Sequence, residues 1–363
     1  MFKIKQKVCL LLSTLGFGTP LKRYQLLNLF GGAEELFMNI ESHSQEIIDL
    51  IGQTAYVRLK YSANEAFCDS LYLDLLSKGI IPVTYYCSNY PKLFKQMPDP
   101  PLAIYCKGNL DLLNSACFAV VGTRKASPYG KKVASIYVAE LAKRYTIVSG
   151  LAYGIDTVAH QTTLNCLGKT VAVLGSGLLN VYPVENQALS QSIVDNGGLL
   201  ISEYQAYDSP NQYNFPMRNR LISGLSKGIL IVEAPLKSGV MSTYEYALEQ
   251  GKDIYVVPGD IFDTNFKGSN QILKSLQGAM TLSPQDILNC DLSVAIPKPP
   301  IQLNMEEQIV VDELIQGKLH FDDIVNRTKL KSSTLNFILA NLELKGIICK
   351  LVGNFYQYLN TEE

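Results

Sequence analysis

Short apolar runs alternate with longer amphipathic stretches through the middle of the chain. The runs are rich in Val, Ile and Leu, and most end in glycine, serine or a charged residue. Strand-length apolar runs separated by helix-length segments predict βαβ units, in which a mostly parallel sheet carries helices on both faces. The predicted strands are Phe118–Val121, Thr146–Ser149, Thr170–Leu174, Leu199–Ser202, Ile229–Glu233 and Asp253–Val257. The predicted helices between them include Tyr129–Arg144, Ile155–Leu167 and Thr243–Gln250.

A different pattern precedes this region. Residues 1–75 have the apolar spacing of helices and predict a small helical domain. Its glycine-containing turn at 15–20, followed by an apolar helix, is typical of helix-hairpin-helix or SAM-like modules. Such a turn either contacts nucleic acid or only packs two helices together. Several prolines within 80–110 predict an extended connector laid over the next domain, which we expect to span 76–290.

The C-terminal part predicts a winged-helix domain over residues 303–363. A proline-rich run at 296–300 indicates a linker over 291–302 before it. Leucine and isoleucine recur at i, i+3, i+4 and i+7 in the third predicted helix, so that helix should bury one face. The predicted elements are helices at 306–316, 321–327 and 332–345 and a two-stranded wing within 347–358.

The charge of this last domain does not favour DNA binding. Residues 301–363 hold six Lys and Arg against nine Asp and Glu, a net charge of −3. Its third helix, with which such domains read DNA, offers Ser, Thr, Asn and Glu rather than Arg. Binding to a duplex needs cations that neutralise phosphates, so the pattern favours a protein-contact or structural role. Sequence-specific duplex binding through this domain is kept as an alternative.

The overall composition is that of an ordinary globular protein of two or three domains. The 363 residues are 47% apolar and 18% charged, with a net charge of −1, so a nucleic-acid site must be a local patch of cations. Eight cysteines without CxxC spacing and three histidines predict reduced thiols and no metal site. The N-terminal apolar stretch is too short and interrupted for a signal peptide, and no run reaches about 18 apolar residues. We therefore expect a cytoplasmic protein without membrane contact.

Two glycine-containing segments resemble parts of nucleotide-binding motifs. Gly175-Ser176-Gly177 follows a predicted strand but lacks the third glycine of GxGxxG. Gly168-Lys169-Thr170 resembles the end of a P-loop, but it lacks the upstream glycine and leads into a strand instead of a helix. Neither segment supports a bound dinucleotide or nucleoside triphosphate, so no cofactor is predicted.

The loops at the predicted strand ends share one chemistry. In parallel sheets these loops meet at the carboxyl edge, where ligands bind. Glycine and hydroxyl residues before helix starts leave backbone N–H groups for phosphate, and arginine suits a bidentate anion. The alternative is that they are only the turns that any such fold requires. The candidate anion-binding residues are Gly122, Thr123, Arg124, Ser127, Gly150, Gly154, Gly175, Gly177, Lys237, Ser238 and Gly239.

The segment 215–220 adds an aromatic ring and two cations. Proline at the second position fixes a helix start. Arg218 and Arg220 cannot share one helix face, so one should face phosphate and the other an acidic group of the protein. Asn219 should bind a base edge or the backbone. Phe215 should either stack on a base, as in single-strand platforms, or pack in the core.

Together these segments closely resemble the DNA-processing protein A family (DprA, also called Smf). The resemblance implies an α/β protein with a Rossmann-like doubly wound, mostly parallel sheet, a small helical N-terminal domain and a C-terminal winged-helix domain. The family's DNA-contacting arginine maps to Arg124, and its Phe-Pro-x-Arg-Asn-Arg segment to 215–220. The matching segments are VVGTRKASPYG (120–130), SGLAYGIDTVAH (149–160), TVAVLGSGLLNVYPVEN (170–186), SEY (202–204), FPMRNRLISGLS (215–226), EAPLKSGVMSTYEYALEQGKDIYVVPG (233–259) and GSNQILKSLQGA (268–279).

For function, the resemblance implies a non-catalytic protein that binds and protects single-stranded DNA. It also implies a homodimer formed through the Rossmann-like domain, and loading of the RecA recombinase during natural transformation and recombination. An alternative is a phosphoribohydrolase-like enzyme that binds nucleotides on a related fold, since 238–245 is similar to part of that signature. Glu233 or Glu245 would then be the catalytic acid, although the glycine-rich loop of such enzymes is incomplete here.

Overall fold

The computed structural model describes residues 2–15, 20–289, 303–315, 317–344, 347–351 and 353–358. The chain divides into two compact units, Met1–Asp291 and Leu292–Glu363. The predicted linker at 291–302 and residues 16–19 of the predicted N-terminal turn lie outside the described residues.

The larger unit is built on one sheet, to which nine strands of its described residues belong. The strands are β1 (Ile81–Thr84), β2 (Ala103–Gly108), β3 (Cys117–Val121), β4 (Thr146–Ser149), β5 (Thr170–Leu174), β6 (Leu199–Ser202), β7 (Gly228–Ile231), β8 (Asp253–Val256) and β9 (Ala279–Met280). Their order is β1-β2-β6-β5-β4-β3-β7-β8-β9, parallel from β6 to β9 and antiparallel at β1-β2 and β2-β6. The predicted α/β class with a mostly parallel sheet is confirmed.

Helices cover both faces of this sheet. The helices of the larger unit are α1 (Ile4–Thr14), α2 (Pro20–Leu29), α3 (Ala33–Asn39), α4 (Ser44–Ile51), α5 (Gln53–Ser62), α6 (Glu65–Ser77), α7 (Pro128–Leu141), α8 (Ile155–Asn165), α9 (Gln187–Asp195), α10 (Asn214–Leu225), α11 (Gly239–Glu249), α12 (Lys267–Lys274) and α13 (Pro284–Leu288). Short 3₁₀ turns lie at Phe94–Gln96, Leu110–Asn114, Val184–Asn186 and Thr264–Phe266.

Strand β3 lies in the middle of the sheet and is apolar on both faces. Phe118 and Val120 pack with residues of α7 and α8, whereas Ala119 and Val121 pack with residues of α10 and α11. This alternation follows from the two-residue period of a strand, and burial on both faces explains the continuous apolar run. The chain adds β4, β5 and β6 on one side of β3 and then β7 and β8 on the other. The crevice of such a doubly wound sheet therefore lies beside the carboxyl end of β3.

The prediction of an extended connector over 80–110 is wrong in one respect. Residues 81–84 and 103–108 form β1 and β2, which extend the sheet in the antiparallel direction. The prolines that suggested a connector, Pro98, Pro100 and Pro101, fall between the two strands. Tyr90 anchors that segment, because its hydroxyl donates a 2.6 Å hydrogen bond to the Pro101 carbonyl.

The N-terminal helices pack on one another and on the antiparallel edge of the sheet. Leu10 of α1 belongs to the same core cluster as Tyr105 of β2, and the Ser13 and Tyr105 hydroxyls lie 2.9 Å apart. On α1, Lys7 pairs with Glu65 and Asp69 of α6 at 2.7 and 2.9 Å. The helices and the sheet belong to one compact unit, so the domain boundary near residue 75 stays a prediction.

The smaller unit has the winged-helix architecture that the sequence predicts. The four apolar residues of the third helix at i, i+3, i+4 and i+7 are all buried, and they form the core with residues of the first helix and the wing. Its elements are α14 (Met305–Ile315), β10 (Leu319–His320), α15 (Phe321–Thr328), α16 (Ser332–Leu344), β11 (Ile348–Leu351) and β12 (Phe355–Tyr358), with an antiparallel sheet in the order β10-β12-β11.

Within the described ranges, no helix combines the length and the apolar character that crossing a bilayer would take. The cysteines of the described residues are free thiols, and five of them are buried. Those five are Cys9, Cys68, Cys87, Cys106 and Cys117.

Candidate nucleic-acid interface

A cleft of about 730 Å³ opens at the carboxyl edge of the parallel strands. Its walls come from the loops after β3, β4, β5, β6 and β7 and from the first turns of α10 and α11. This is the side of the sheet on which the winding direction reverses, as expected for a ligand crevice of a doubly wound fold. Nine of the predicted site residues line the cleft: Gly122, Thr123, Arg124, Phe215, Arg218, Asn219, Lys237, Ser238 and Gly239.

Three exposed cations line this cleft. Arg124 and Lys125 follow β3, and Lys237 precedes α11. Lys125 was missed in the sequence analysis, although it is adjacent to Arg124 and the same turn exposes both. A phosphate backbone laid in the cleft would meet all three charges, and the attraction between exposed charges of this kind weakens as salt is added.

An aromatic ring lies beneath the arginine. The Arg124 guanidinium carbon lies 5.1 Å from the centroid of the Phe215 ring, within the range of a cation–π contact. Phe215 is half-buried at the start of α10 and also packs against Tyr182, with ring centroids 5.6 Å apart. Gly175 makes room for it, because a Cβ there would lie 2.7 Å from the ring. Phe215 therefore belongs to the cleft wall and not to the interior of the core.

Arg218 is a buried anchor. Its guanidinium donates to the carbonyl of Gly150, at 2.7 Å, and to the carbonyl of Val173. Burial lowers the pKa of Arg218 to about 10, and the nearby Asp156 opposes that shift. The side chain therefore stays charged at neutral pH. It ties the ends of β4 and β5 together beneath the cleft, so its main contacts are with the protein.

Asp156 completes this anchor from α8. Its carboxylate accepts hydrogen bonds from the N–H groups of Gly150 (3.2 Å) and Ala152 (3.3 Å). Burial raises the pKa of the Asp156 carboxyl, while Arg218 and these hydrogen bonds act in the opposite direction. The Gly150 N–H that the sequence analysis assigned to phosphate thus points to a carboxylate. A Cβ at Gly150 would also lie 2.7 Å from the Arg218 guanidinium, so glycine is needed there for packing.

Asn219 connects α10 to the start of α11. Its amide donates to the Gly239 carbonyl (3.0 Å) and the Ser242 hydroxyl (2.9 Å). Ser238 caps α11 by accepting from the Val240 N–H at 3.2 Å. Asn219 and Ser238 therefore hold the helix start in place at the cleft edge.

Arg220, the second arginine of the segment and a predicted DNA contact, does not line the cleft. The side chain is fully buried and pairs with Glu203 and with Asp99, whose carboxylate lies 3.2 Å from Nε. These two acids raise the pKa of Arg220 against the effect of burial. The expectation that one arginine of the segment faces an acidic group of the protein is met here, and the buried ion pairs leave no guanidinium surface for a phosphate.

Ser127 also has a structural role and does not line the cleft. It caps α7, and both its N–H and its hydroxyl donate to the carboxylate of Glu233, at 3.1 and 3.0 Å. The Thr123 N–H is likewise used, since it donates to the Glu233 carbonyl at 2.7 Å. The N–H groups of Thr123 and Ser127 and the Ser127 hydroxyl thus bind Glu233 and fix the turn that presents Arg124.

The remaining glycines allow loops to approach one another. Gly122 faces Ile155, Gly154 faces the carbonyl of Thr123, and Gly177 faces the carbonyls of Gln205 and Ala206, all closer than a Cβ permits. Gly154 also has a φ of +77°, which favours glycine. Gly154, Gly175 and Gly177 do not line the cleft and allow loops to pack closely, and their role in binding phosphate stays a prediction. Gly239, by contrast, has open space around it.

Comparison with known proteins gives the family. The family model for DNA recombination-mediator protein A matches residues 82–291, and a model for the DprA winged helix domain matches residues 295–354. The chain is 43% identical to Protein Smf of Escherichia coli K12 over 201 residues, which is 55% of this chain and 53% of that protein. It is 41% identical to DNA processing protein DprA of Streptococcus pneumoniae over 200 residues, which is 55% of this chain and 70% of that protein.

Two solved structures are also similar. DNA processing protein A from Streptococcus pneumoniae superposes with a TM-score of 0.66 at 30% identity, covering 79% of this chain and 98% of that one. DNA processing protein A from Helicobacter pylori, described for its single-stranded DNA binding mode, gives 0.53 at 34% identity, covering 58% and 96%. The match with the Escherichia coli protein spans about half of that protein's length. With its central sheet and its C-terminal unit both matched, the chain belongs to the DNA recombination-mediator protein A (DprA/Smf) family.

Proposed function

We propose that the chain is a non-catalytic protein that binds single-stranded DNA in the cleft beside β3. The observation that carries the proposal is the exposed Arg124 guanidinium on the Phe215 ring, in a cleft that also exposes Lys125 and Lys237. Cations hold a phosphate backbone, and an aromatic ring in the wall of such a cleft stacks on any unpaired base. The printed names of the relatives support this proposal, because one is a DNA processing protein and another is described for its single-stranded DNA binding mode.

The alternative, a phosphoribohydrolase-like enzyme, has less support from the same residues. Glu233 is fully buried, and its carboxylate accepts hydrogen bonds from Ser127. Glu245 is exposed on α11 and does not line the cleft. Neither candidate acid therefore faces a substrate held there.

The test compares substrates on the full chain. Fluorescence anisotropy should give at least about tenfold tighter binding to a labelled single strand than to the duplex of the same sequence, since only the single strand exposes base faces to the ring. Equal or tighter duplex binding would refute the proposal and favour the winged-helix alternative. Release of free base from nucleoside monophosphates would favour the enzyme.

The proposal extends to partners that the family resemblance implies. We propose that the protein protects single-stranded DNA and loads RecA during DNA uptake, natural transformation and recombination. What supports this proposal is the matching family model, whose description is DNA recombination-mediator protein A. Addition of the full chain should then speed RecA filament formation on DNA that is coated by a single-strand-binding protein.

We also propose a homodimer through the Rossmann-like domain. Among the described residues, strand β9 is the last strand of the sheet, and Leu276, Met280 and Leu282 around it are 90%, 57% and 75% exposed. An open edge flanked by exposed apolar side chains is a surface that a second copy can cover. Sedimentation should show a dimer that Leu276→Glu with Leu282→Glu converts to monomer. Leu73→Glu, at an exposed site on α6, is the matched control.

A further inference from the structure

Two tyrosines lie beside Phe215 and were not among the residues predicted to bind DNA. Tyr182 follows β5 and Tyr153 follows β4, and each is 38% exposed. Tyr182 packs against Phe215 with the two ring planes inclined at 45°. A smaller cavity next to the main cleft is lined by Tyr153 and Tyr182 together with Phe215 and Arg124. The rings thus continue the cleft wall beyond the arginine.

Hydrogen bonds hold Tyr153 in place before any ligand binds, and Tyr182 packs against the Phe215 ring. The Tyr153 hydroxyl donates a hydrogen bond to the carboxylate of Glu185. Next to it, the Asn186 amide donates to the Leu151 carbonyl at 2.9 Å and to the Thr157 hydroxyl at 2.8 Å. These bonds join the loop after β4 to the loop after β5. A fixed aromatic surface loses little conformational freedom on binding, which favours its use as a platform.

The charges differ between the two ends of the cleft. Lys125 and Lys237 line the main cleft but not the smaller cavity. Two arginines line the smaller cavity: Arg124, which it shares with the main cleft, and Arg218, which is buried and donates to backbone carbonyls. Glu185 is exposed next to Tyr153, and the hydrogen bond from that tyrosine lowers the pKa of the Glu185 carboxyl. The carboxylate is therefore ionised at neutral pH and repels a phosphate. Phosphates are favoured at the lysine end, and uncharged groups at the tyrosine end.

From this asymmetry we infer that Tyr182, with Tyr153, forms a second base-stacking subsite beside Phe215. A single strand then lies with its phosphates toward Arg124 and the two lysines and with its bases toward the tyrosines. This inference rests on the proposed single-stranded DNA function. To that function the inference adds a second position at which a base is bound and the orientation of the strand in the cleft.

The experiment combines protein variants with modified DNA. The dissociation constant of the full chain is measured by anisotropy for an oligothymidine and for an abasic oligonucleotide of the same length. Removing a stacked base costs about 5- to 150-fold in affinity. Because Tyr182 is partly exposed, Tyr182→Ala should weaken oligothymidine binding by about tenfold. The abasic strand binds more weakly, and Tyr182→Ala should change its dissociation constant by less than about twofold, because that strand has no base to stack on the ring.

Three further variants separate stacking from folding. Tyr182→Phe keeps the ring and should bind oligothymidine like the wild type, and Tyr182→Leu keeps apolar bulk and should bind like Tyr182→Ala. Tyr61→Ala removes an exposed tyrosine of α5, which lines neither cavity, and should change nothing. The dependence of affinity on salt should be the same for all four variants as for the wild type, since no phosphate contact is removed.

Two results would overturn the inference while leaving the proposed function intact. One is unchanged oligothymidine binding by Tyr182→Ala and Tyr182→Leu. The other is an equal loss toward the thymidine and abasic strands, which would mean that the ring acts on the backbone or on the fold. Absence of single-strand binding by the wild-type chain would instead refute the proposed function, and the subsite with it.

Discussion

Removing the Arg124 side chain tests the cleft most directly. Arg124 is exposed, lies on the Phe215 ring and follows the central strand β3. For a single strand, the slope of log affinity against log salt is negative, and each contact between a cation and a phosphate contributes about −0.7 to it. With three exposed cations in the cleft, namely Arg124, Lys125 and Lys237, the wild-type slope should be about −2.

Arg124→Ala should therefore bind with a slope of about −1.4. Loss of one charge-assisted contact of roughly 1 to 2 kcal/mol should also weaken binding at low salt by about 5- to 30-fold. Arg124→Lys should restore the slope but only part of the affinity, because lysine keeps the charge and loses the planar group that stacks on Phe215. Anisotropy titrations of a labelled single strand between about 50 and 300 mM salt give both quantities.

The matched control is Lys92→Ala, which removes an exposed cation that does not line the cleft. It should leave both affinity and slope unchanged. Since Arg124 is exposed, its removal should change the free energy of unfolding by less than about 0.5 kcal/mol. An unchanged salt slope in a folded Arg124→Ala protein would refute the assignment of Arg124 to a phosphate.

Three other predictions concern stability. Arg220→Met should lower the free energy of unfolding in urea by about 3 to 5 kcal/mol, because it leaves two partly or fully buried carboxylates without their cation; a loss below 1 kcal/mol would mean the pairs matter little. Gly177→Ala should cost about 1 to 3 kcal/mol by forcing a Cβ against backbone carbonyls, whereas Gly239→Ala, in open space, should melt like the wild type. Burial lowers the pKa of His160 to about 3, whereas the same imidazole in the unfolded chain has a pKa of about 6.5. The unfolded chain therefore binds this proton at a higher pH than the folded protein does, and the free energy of unfolding falls as pH drops from about 6.5 to about 3. His160→Gln should flatten that slope by up to about 1.4 kcal/mol per pH unit, and an unaltered pH profile would contradict the assignment.

The sequence was most informative where local pattern and tertiary structure agree. Three of the six predicted strands, at 146–149, 170–174 and 199–202, have the observed bounds, because each is a fully buried apolar run closed by a polar turn. The strands at 81–84 and 103–108 were missed because prolines between them imitate a connector. Pairing at the antiparallel edge of a sheet depends on a distant partner, which no local pattern reveals.

The site was predicted less well than the fold, for a physical reason. The sequence of a motif does not show whether its arginine faces solvent or a buried carboxylate. The sequence placed Arg218 and Arg220 on different faces of α10, but it did not reveal that Glu203 and Asp99 lie beside one of them. The glycines carried a similar ambiguity, since close packing of loops and approach to a phosphate select the same residue.

The buried Glu233 has a consequence for what the cleft can distinguish. Its carboxylate is bound at the first turn of α7, where the positive end of a helix would otherwise attract an anion. The Glu233 carboxylate thus occupies the helix N-terminus at which doubly wound folds often bind a nucleotide phosphate. A lone nucleotide gains little from the remaining separate cations, whereas a polymer engages several of them at once. For the proposed function, selectivity for a DNA strand over mononucleotides then follows from an occupied helix end, without any contact that recognises length.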